Sequence, residues 1–183
     1  MIESRERNFN NCFVRRLRKD ETIKSFDCGD CDLNDFIMNR AAEYNKTRLA
    51  VTYIFEHKDS REIIGYFSLA NDKISIDDFD NNNEFNRFRR HRFKNEKRIR
   101  SYPSVKICRL GINSKFHGNG VGSMLIDFIK SYYSNGSRAG CRFITVDAYH
   151  DAIPFYERNK FRLLSDDHKT TRLLYYDLNE IVN

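Results

Sequence analysis

The sequence predicts one α/β domain spanning residues 1–183, and three observations predict it. A length of 183 residues suffices for one ordinary domain with a buried core and is too short for a cofactor domain plus a separate substrate domain. Hydrophobic residues make up 40%, with 15 Phe, 10 Tyr and only 2 Pro, as expected of a compact globular chain. Stretches with the two-residue period of a strand alternate with stretches of helical period.

The elements follow in order. "NCFVRRL", Asn11 to Leu17, reads as a first strand, and "DLNDFIMNRAAEYN" as a helix with Leu33, Phe36, Ile37 and Ala41 on one face. "AVTYIFE" and "EIIGYFSLAN" are rich in β-branched and aromatic residues and flank the polar turn "HKDSR", which predicts a hairpin. Residues 71–103 depart from compact patterning: they are polar, Asn-rich and then Arg-rich. "SVKICRLGI" resumes as a strand. After "NSKFHGNG" comes a helix with Val121, Met124, Leu125, Phe128, Ile129 and Tyr132 at helical spacing, ended by "SNGS" and Gly140. "CRFITVDAY" is a strand, "DAIPFYERNK" a short helix, and "FRLL" and "TRLLYYDL" a closing pair.

The formal net charge is +6, yet between Arg87 and Arg100 eight Lys/Arg face the single Glu96, so the basic character is local. The start "MIESRERNFN" has no apolar signal region and no apolar run reaches membrane-spanning length, so a cytoplasmic protein without a membrane partner is expected. Five cysteines, 12, 28, 31, 108 and 141, are then expected to be reduced. "CGDC", Cys28 to Cys31, has neither a second CxxC nor paired His at metal spacing, so no metal is expected; Asp30 or Asp32 there suits a helix cap.

Gly118, Gly120 and Gly122 stand between a strand and a helix, where consecutive backbone N–H groups form a positive concavity for a phosphate. A nucleotide P-loop would need Gly-Lys-Ser/Thr, but Ser123 and Met124 follow Gly122. A dinucleotide fingerprint would put glycine at 123 and start the motif much earlier in the chain. A pyrophosphate-bearing acyl carrier needs only strand, turn and helix. A tight turn that binds nothing also fits the glycines alone.

"RLGINSKFHGNGVGSMLIDF", then a strand, then "FYERNKF", resembles the core of the GNAT (Gcn5-related) N-acetyltransferases. The family pattern is a strand, a [Q/R]-x-x-G-x-[G/A] turn, a helix, a strand and F-Y-x-x-x-G-F. Upstream, "FDCGDCDLNDFIMNRA" and "IIGYFSLAN" are similar to one branch, the toxins that acetylate aminoacyl-tRNA. The resemblance implies the α/β (α+β) GNAT fold: a central mixed, mostly antiparallel sheet flanked by helices, with acetyl-CoA in a cleft at the splayed central strands. Residues 104–161 would be the acetyl-CoA-binding core and 71–103 a basic insertion near the cleft.

Carried over by position, the resemblance implies that His117, Gly118, Asn119, Gly120, Val121, Gly122 and Ser123 cradle the pyrophosphate of acetyl-CoA. Leu110 and Ile112 would pair with the pantetheine arm, and Tyr156 would protonate the departing thiolate. A phenol with an ordinary pKa near 10 keeps its proton at neutral pH and can give it to basic sulfur. The chain departs from the pattern at three places. His117 replaces the family's Gln or Arg, Asn113 cannot act as a carboxylate, and Lys160 replaces a glycine, which predicts a different path into the strand at Phe161.

Asp147, His150 and Asp151 are candidate bases, although an α-amino acceptor with a pKa near 8 needs little help. Cys108, flanked by Ile107 and Leu110, reads as core, so transfer is expected directly in a ternary complex. Arg87, Arg89, Arg90, Arg92, Lys94, Lys97 and Arg98, with Phe88, His91 and Phe93 among them, offer charge and stacking surfaces for RNA. The resemblance implies aminoacyl-tRNA as substrate and a small DNA-binding antitoxin as partner, and it leaves room for a homodimer. The alternatives are an N-acetyltransferase of small amines or of protein lysines or N-termini, whose cationic substrates the basic segment disfavours, and a CoA-binding module without turnover.

Overall fold

The structure, a computed structural model, describes residues 11–90, 92–93, 99–135, 139–165 and 170–181. Seven strands, β1 (Cys12–Arg16), β2 (Val51–His57), β3 (Ile63–Ser75), β4 (Ser101–Ile112), β5 (Phe143–Tyr149), β6 (Arg162–Ser165) and β7 (Thr171–Asp177), form one mixed sheet in the order β1-β2-β3-β4-β5-β7-β6. Pairs β1/β2, β2/β3, β5/β7 and β6/β7 are antiparallel, and β4/β5 is parallel. The helices are α1 (Cys31–Asp35), α2 (Ala41–Lys46), α3 (Asn82–Arg89), α4 (Val121–Asn135) and α5 (Ile153–Arg158). A five-residue π turn, Phe36–Arg40, carries α1 into α2.

The chain forms two compact units. One contains the residues up to Ala70 with Cys108–Asp127, and the other contains Asn71–Ile107 with the residues from Phe128 onward. β3, β4 and α4 therefore each contribute to both.

In the first unit, the predicted apolar face buries Phe36 and Ile37 of the π turn and Ala41 of α2 against Leu17, Phe26, Ile54 and Tyr66. The Tyr66 hydroxyl donates to the Leu33 carbonyl at 2.7 Å, and its ring lies edge-on to Phe26. A β-carbon on Gly111 would fall 2.7 Å from the Tyr66 ring, so this glycine is what lets β4 lie against a buried tyrosine. Asp30, not Asp32, caps α1: its carboxylate accepts the Leu33 N–H at 3.0 Å.

In the second unit, the described residues of 71–90 carry regular structure where the sequence reads as irregular. β3 runs on to Ser75, a capping box at Ser75 and Asp78 closes it, and Asn81 caps α3 through the Asn83 and Glu84 N–H groups. Ile74, Phe85, Tyr102, Phe143 and Tyr175 are the buried core there, with Phe79, Phe88 and Phe93 packed against them. Sparse aromatic residues among Asn and Arg carry this core, which is why average polarity concealed it.

α4 also differs in its buried face. Val121, Leu125, Ile126 and Ile129 are buried, whereas Met124, Phe128 and Tyr132 are 36–46% exposed. The apolar residues wrap more than half of the helix, and the buried side is the one that includes Ile126.

Candidate active site

The glycine turn lies in the first unit. After β4, the Asn113 side chain accepts the Lys115 N–H at 3.1 Å and caps a 3-10 turn, Ser114–Phe116. Gly118 and Gly120 follow with φ of +75° and +73°, left-handed values that glycine adopts without steric cost. Nothing lies within 4 Å of where a β-carbon on either would stand, so the turn is open on that side. The Met124 N–H donates to the Gly120 carbonyl at 3.0 Å. The N–H groups of Val121, Gly122 and Ser123 precede that bond and have no acceptor within the helix. No acidic residue stands in the first turn of α4, so nothing there opposes an anion.

His117 is exposed, and its Nε2 lies 2.6 Å from the Ile112 carbonyl oxygen, to which it donates. The Asn119 side chain donates to the His117 carbonyl at 3.2 Å. These two bonds brace the turn on the end of β4, where Leu110 and Ile112 are half-buried. The imidazole thus supports the cradle with one nitrogen and keeps only Nδ1 for a ligand.

Tyr156 lies in the second unit on α5. It is 7% exposed, edge-on to the rings of Phe155 and Phe161 at 5.1 and 5.4 Å. Burial pushes its phenol well above the usual range, and its hydroxyl bonds to no described residue. α5 ends in a Schellman cap: the Phe161 N–H donates to the Tyr156 carbonyl at 3.0 Å and the Lys160 N–H to the Glu157 carbonyl at 2.8 Å. Lys160 has φ of +64°. The expectation of a different path is therefore corrected: Lys160 takes the left-handed conformation that glycine would take, at a steric cost. Lys130 of α4 adds a 2.9 Å bond to the Asn159 carbonyl and stands 4.4 Å from the Tyr176 ring, fixing the end of the helix that bears Tyr156.

The basic segment divides by role. Arg87 and Arg90 are exposed on α3 and its end. Arg89 packs 5.3 Å from the Phe85 ring and bonds the Asn86 side chain. Arg92 stacks 4.4 Å from the Phe88 ring and donates to the Tyr175 hydroxyl at 2.9 Å, so it helps hold α3 to the sheet. Lys94, Lys97 and Arg98 lie outside the described residues, as does His91.

The other candidates are modest. His150 and Asp151 are exposed just beyond β5. All five cysteines are free; burial pushes Cys28 up and Cys141 up to about 11, away from thiolate chemistry. A cavity of about 440 Å³ in the first unit is lined by Arg15, Glu21, Glu56 and Arg61 among others. These arginines and glutamates pair with one another: Arg15 bonds Glu21 at 2.6 Å and Glu56 at 2.9 Å, and Arg61 meets Glu56 at 2.6 Å.

Two polar pairs in the second unit go beyond the sequence reading. Thr145 donates to Asp72 at 2.5 Å, and Lys106 meets Asp147 at 2.5 Å. Asp147, a candidate base in the sequence, is thus paired with Lys106; the lysine inside the apolar strand "SVKICRL" is the other signal, and Asp72 falls in the stretch that reads as irregular.

The first unit thus has a strand, an open glycine turn and a helix in succession, and the second has a buried tyrosine on a capped helix, the local features that the resemblance to acetyltransferases implies. The chain belongs to the acetyltransferase (GNAT) family, whose profile matches residues 14–161. A tRNA-acetylating toxin of Mycobacterium tuberculosis is 26% identical over 170 residues, 92% of this chain and 95% of that protein. Among solved structures, the AtaT toxin complexed with acetyl-methionyl-tRNAfMet superposes with a TM-score of 0.75 at 20% identity, covering 93% of this chain and 97% of that one. A tyrosine-to-phenylalanine mutant of AtaT, bound to the C-terminus of the antitoxin AtaR and acetyl-CoA, gives 0.72 at 20% identity over 94% and 96%. At these identities the solved structures establish the shared fold.

Proposed function

We propose that this protein transfers the acetyl group of acetyl-CoA to the α-amino group of aminoacyl-tRNA, blocking the amino acid from use in translation. The observation that carries the donor half is the open mouth of α4, with three consecutive N–H groups, two left-handed glycines and no carboxylate. The acceptor half is supported by similarity along nearly the whole chain to a tRNA-acetylating toxin and by exposed Arg87 and Arg90.

Acetyl-CoA supplies the acetyl group as an activated thioester. Gly118 to Ser123 bind the pyrophosphate through main-chain N–H groups, and His117 braces that turn. Leu110 and Ile112 align the pantetheine arm along β4, within a core of residues 104–161. Tyr156, kept neutral by burial, holds a proton at Oη for the departing sulfur. The α-amino group is substantially neutral near pH 8, so it attacks directly and no cysteine carries the acetyl group. Residues 71–103 supply the RNA-facing charge. This activity belongs in the cytoplasm, where charged tRNA and acetyl-CoA coexist, and a small DNA-binding antitoxin that covers the site would restrain it.

The test supplies acetyl-CoA with charged and with uncharged tRNA and follows free thiol alongside acetyl label. The proposal expects label and thiol only with charged tRNA, and the label released as N-acetyl amino acid by mild alkali. Equal labelling of uncharged tRNA, or no thiol with any charged tRNA, refutes it.

A further inference from the structure

The β4–β5 ladder in the second unit pairs only Ser104–Lys106 with Phe143–Thr145, and its last rung carries an unusual set of side chains. Residues two apart on a strand share a face. Ile74, Tyr102, Phe143 and Tyr175 form one face, covered by Phe85 and Phe88 of α3. Two or four residues further along on that same face stand Asp72, Lys106, Thr145 and Asp147. Tyr176, next to Tyr175, points to the opposite face and meets Phe161, the aromatic neighbour of Tyr156, at 5.7 Å. The sheet therefore has the proton-donating tyrosine on one side and a charged cluster on the other, beside the basic helix α3.

The cluster holds two bonded pairs, brought side by side by the register of Lys106 with Thr145. Thr145 is fully buried and donates its hydroxyl to Asp72 at 2.5 Å. Lys106 crosses from β4 to meet Asp147 on β5 at 2.5 Å, both partly open to solvent at 30% and 37% side-chain exposure. Between Tyr102 and Lys106, Ser104 is 6% exposed and has a buried hydroxyl with no partner among the described residues. Two carboxylates and two hydroxyls can accept N–H bonds, and the single ammonium holds the more exposed carboxylate.

Building on the acetyl-transfer reading above, we propose that this cluster is the acceptor-amine subsite and that Lys106 is its specificity-determining residue. Asp72 and Asp147 receive the N–H groups of the amine where β4–β5 pairing stops at Lys106 and Thr145, so its nitrogen reaches the thioester carbon between the strands while Tyr156 gives its proton to the departing sulfur from the other face. Lys106 neutralises Asp147 and places a positive charge beside it. That charge favours an amine attached to phosphodiesters and repels a polycation, which would otherwise be drawn to the carboxylates of this face.

Calorimetric titration of the full-length protein with spermidine tests this without requiring turnover. Lys106→Met and Lys106→Gln should each bind spermidine at least tenfold more tightly than the wild type. Lys106→Arg should match the wild type, and adding Asp147→Asn to Lys106→Met should remove the gain. For aminoacyl-tRNA, both neutral variants should raise KM severalfold and leave kcat within twofold. Unchanged spermidine affinity in both neutral variants, at unchanged melting temperature, overturns the proposal; should either variant fold poorly, Asp147→Asn alone must weaken spermidine binding, and failure to do so overturns it equally. A protein that labels no tRNA yet shows the spermidine shift keeps the subsite and loses the tRNA reading, and the reverse result does the opposite.

Discussion

The main-chain N–H of Phe161 reaches back to the carbonyl of Tyr156 at 3.0 Å, across a lysine at φ +64°. Lys160 thus bears the strain of the cap that orients the tyrosine. A left-handed non-glycine residue costs about 1–2 kcal/mol, and glycine gives back part of that through the entropy of the unfolded chain. Lys160→Gly should therefore stabilise the protein by about 0.5–1 kcal/mol in denaturant unfolding without lowering kcat.

Tyr156→Phe should cut kcat for acetyl transfer by about 10²–10⁴-fold and leave acetyl-CoA affinity nearly unchanged. Because burial raises the phenol above its usual value of 10.0, its proton is present throughout the working range. The wild-type pH–rate profile should show no alkaline fall from this group below pH 10. A descending limb that Tyr156→Phe abolishes would assign the residue a different protonation state.

Gly120→Ala places a side chain where φ is +73°. Space is open at that position, so the damage comes from the backbone relaxing and turning its N–H groups away from the ligand. The expected result is a KM for acetyl-CoA raised about tenfold with kcat within about twofold, the signature of weakened uniform binding.

How much of the fold and site is legible in the sequence differs by element. The strand, glycine turn and helix around Gly118, and the Asp30 cap, are readable because local rules for backbone and capping govern them. The second-unit core is not, because Phe85, Phe88 and Tyr102 are scattered among charges and meet only through long-range packing. The same packing converts Arg92 from a candidate RNA-binding residue into a bolt between α3 and β7. Lys160 escapes for another reason: its backbone angle is imposed by the cap and overrides the residue's own preference.

That division predicts separable phenotypes. Replacing Arg87 and Arg90 with Ala should weaken tRNA binding and lower the slope of affinity against salt by about one per phosphate no longer neutralised, with melting unchanged. Arg92→Ala should lower the melting temperature. Filter binding over a salt series and thermal unfolding distinguish them.

Acid stability should depend on Arg15. Its hydrogen bonds hold the Glu21 carboxyl below the ordinary 4.5, so the bridge stabilises above that value and its contribution disappears as pH falls through the lowered one. Glu21→Gln should be less stable than wild type by about 1–2 kcal/mol at pH 7, with the gap closing towards pH 3. Arg15→Met should cost more at pH 7, because it also strips a partner from Glu56, whose side chain is 2% exposed.

The most direct measurement offers the purified protein labelled acetyl-CoA with bulk aminoacyl-tRNA in one reaction, and with polyamines and lysine peptides in parallel reactions. Label is expected on the α-amino group of aminoacyl-tRNA, abolished by Tyr156→Phe, with little on the cationic amines. Labelling of polyamines or lysine peptides alone would contradict it.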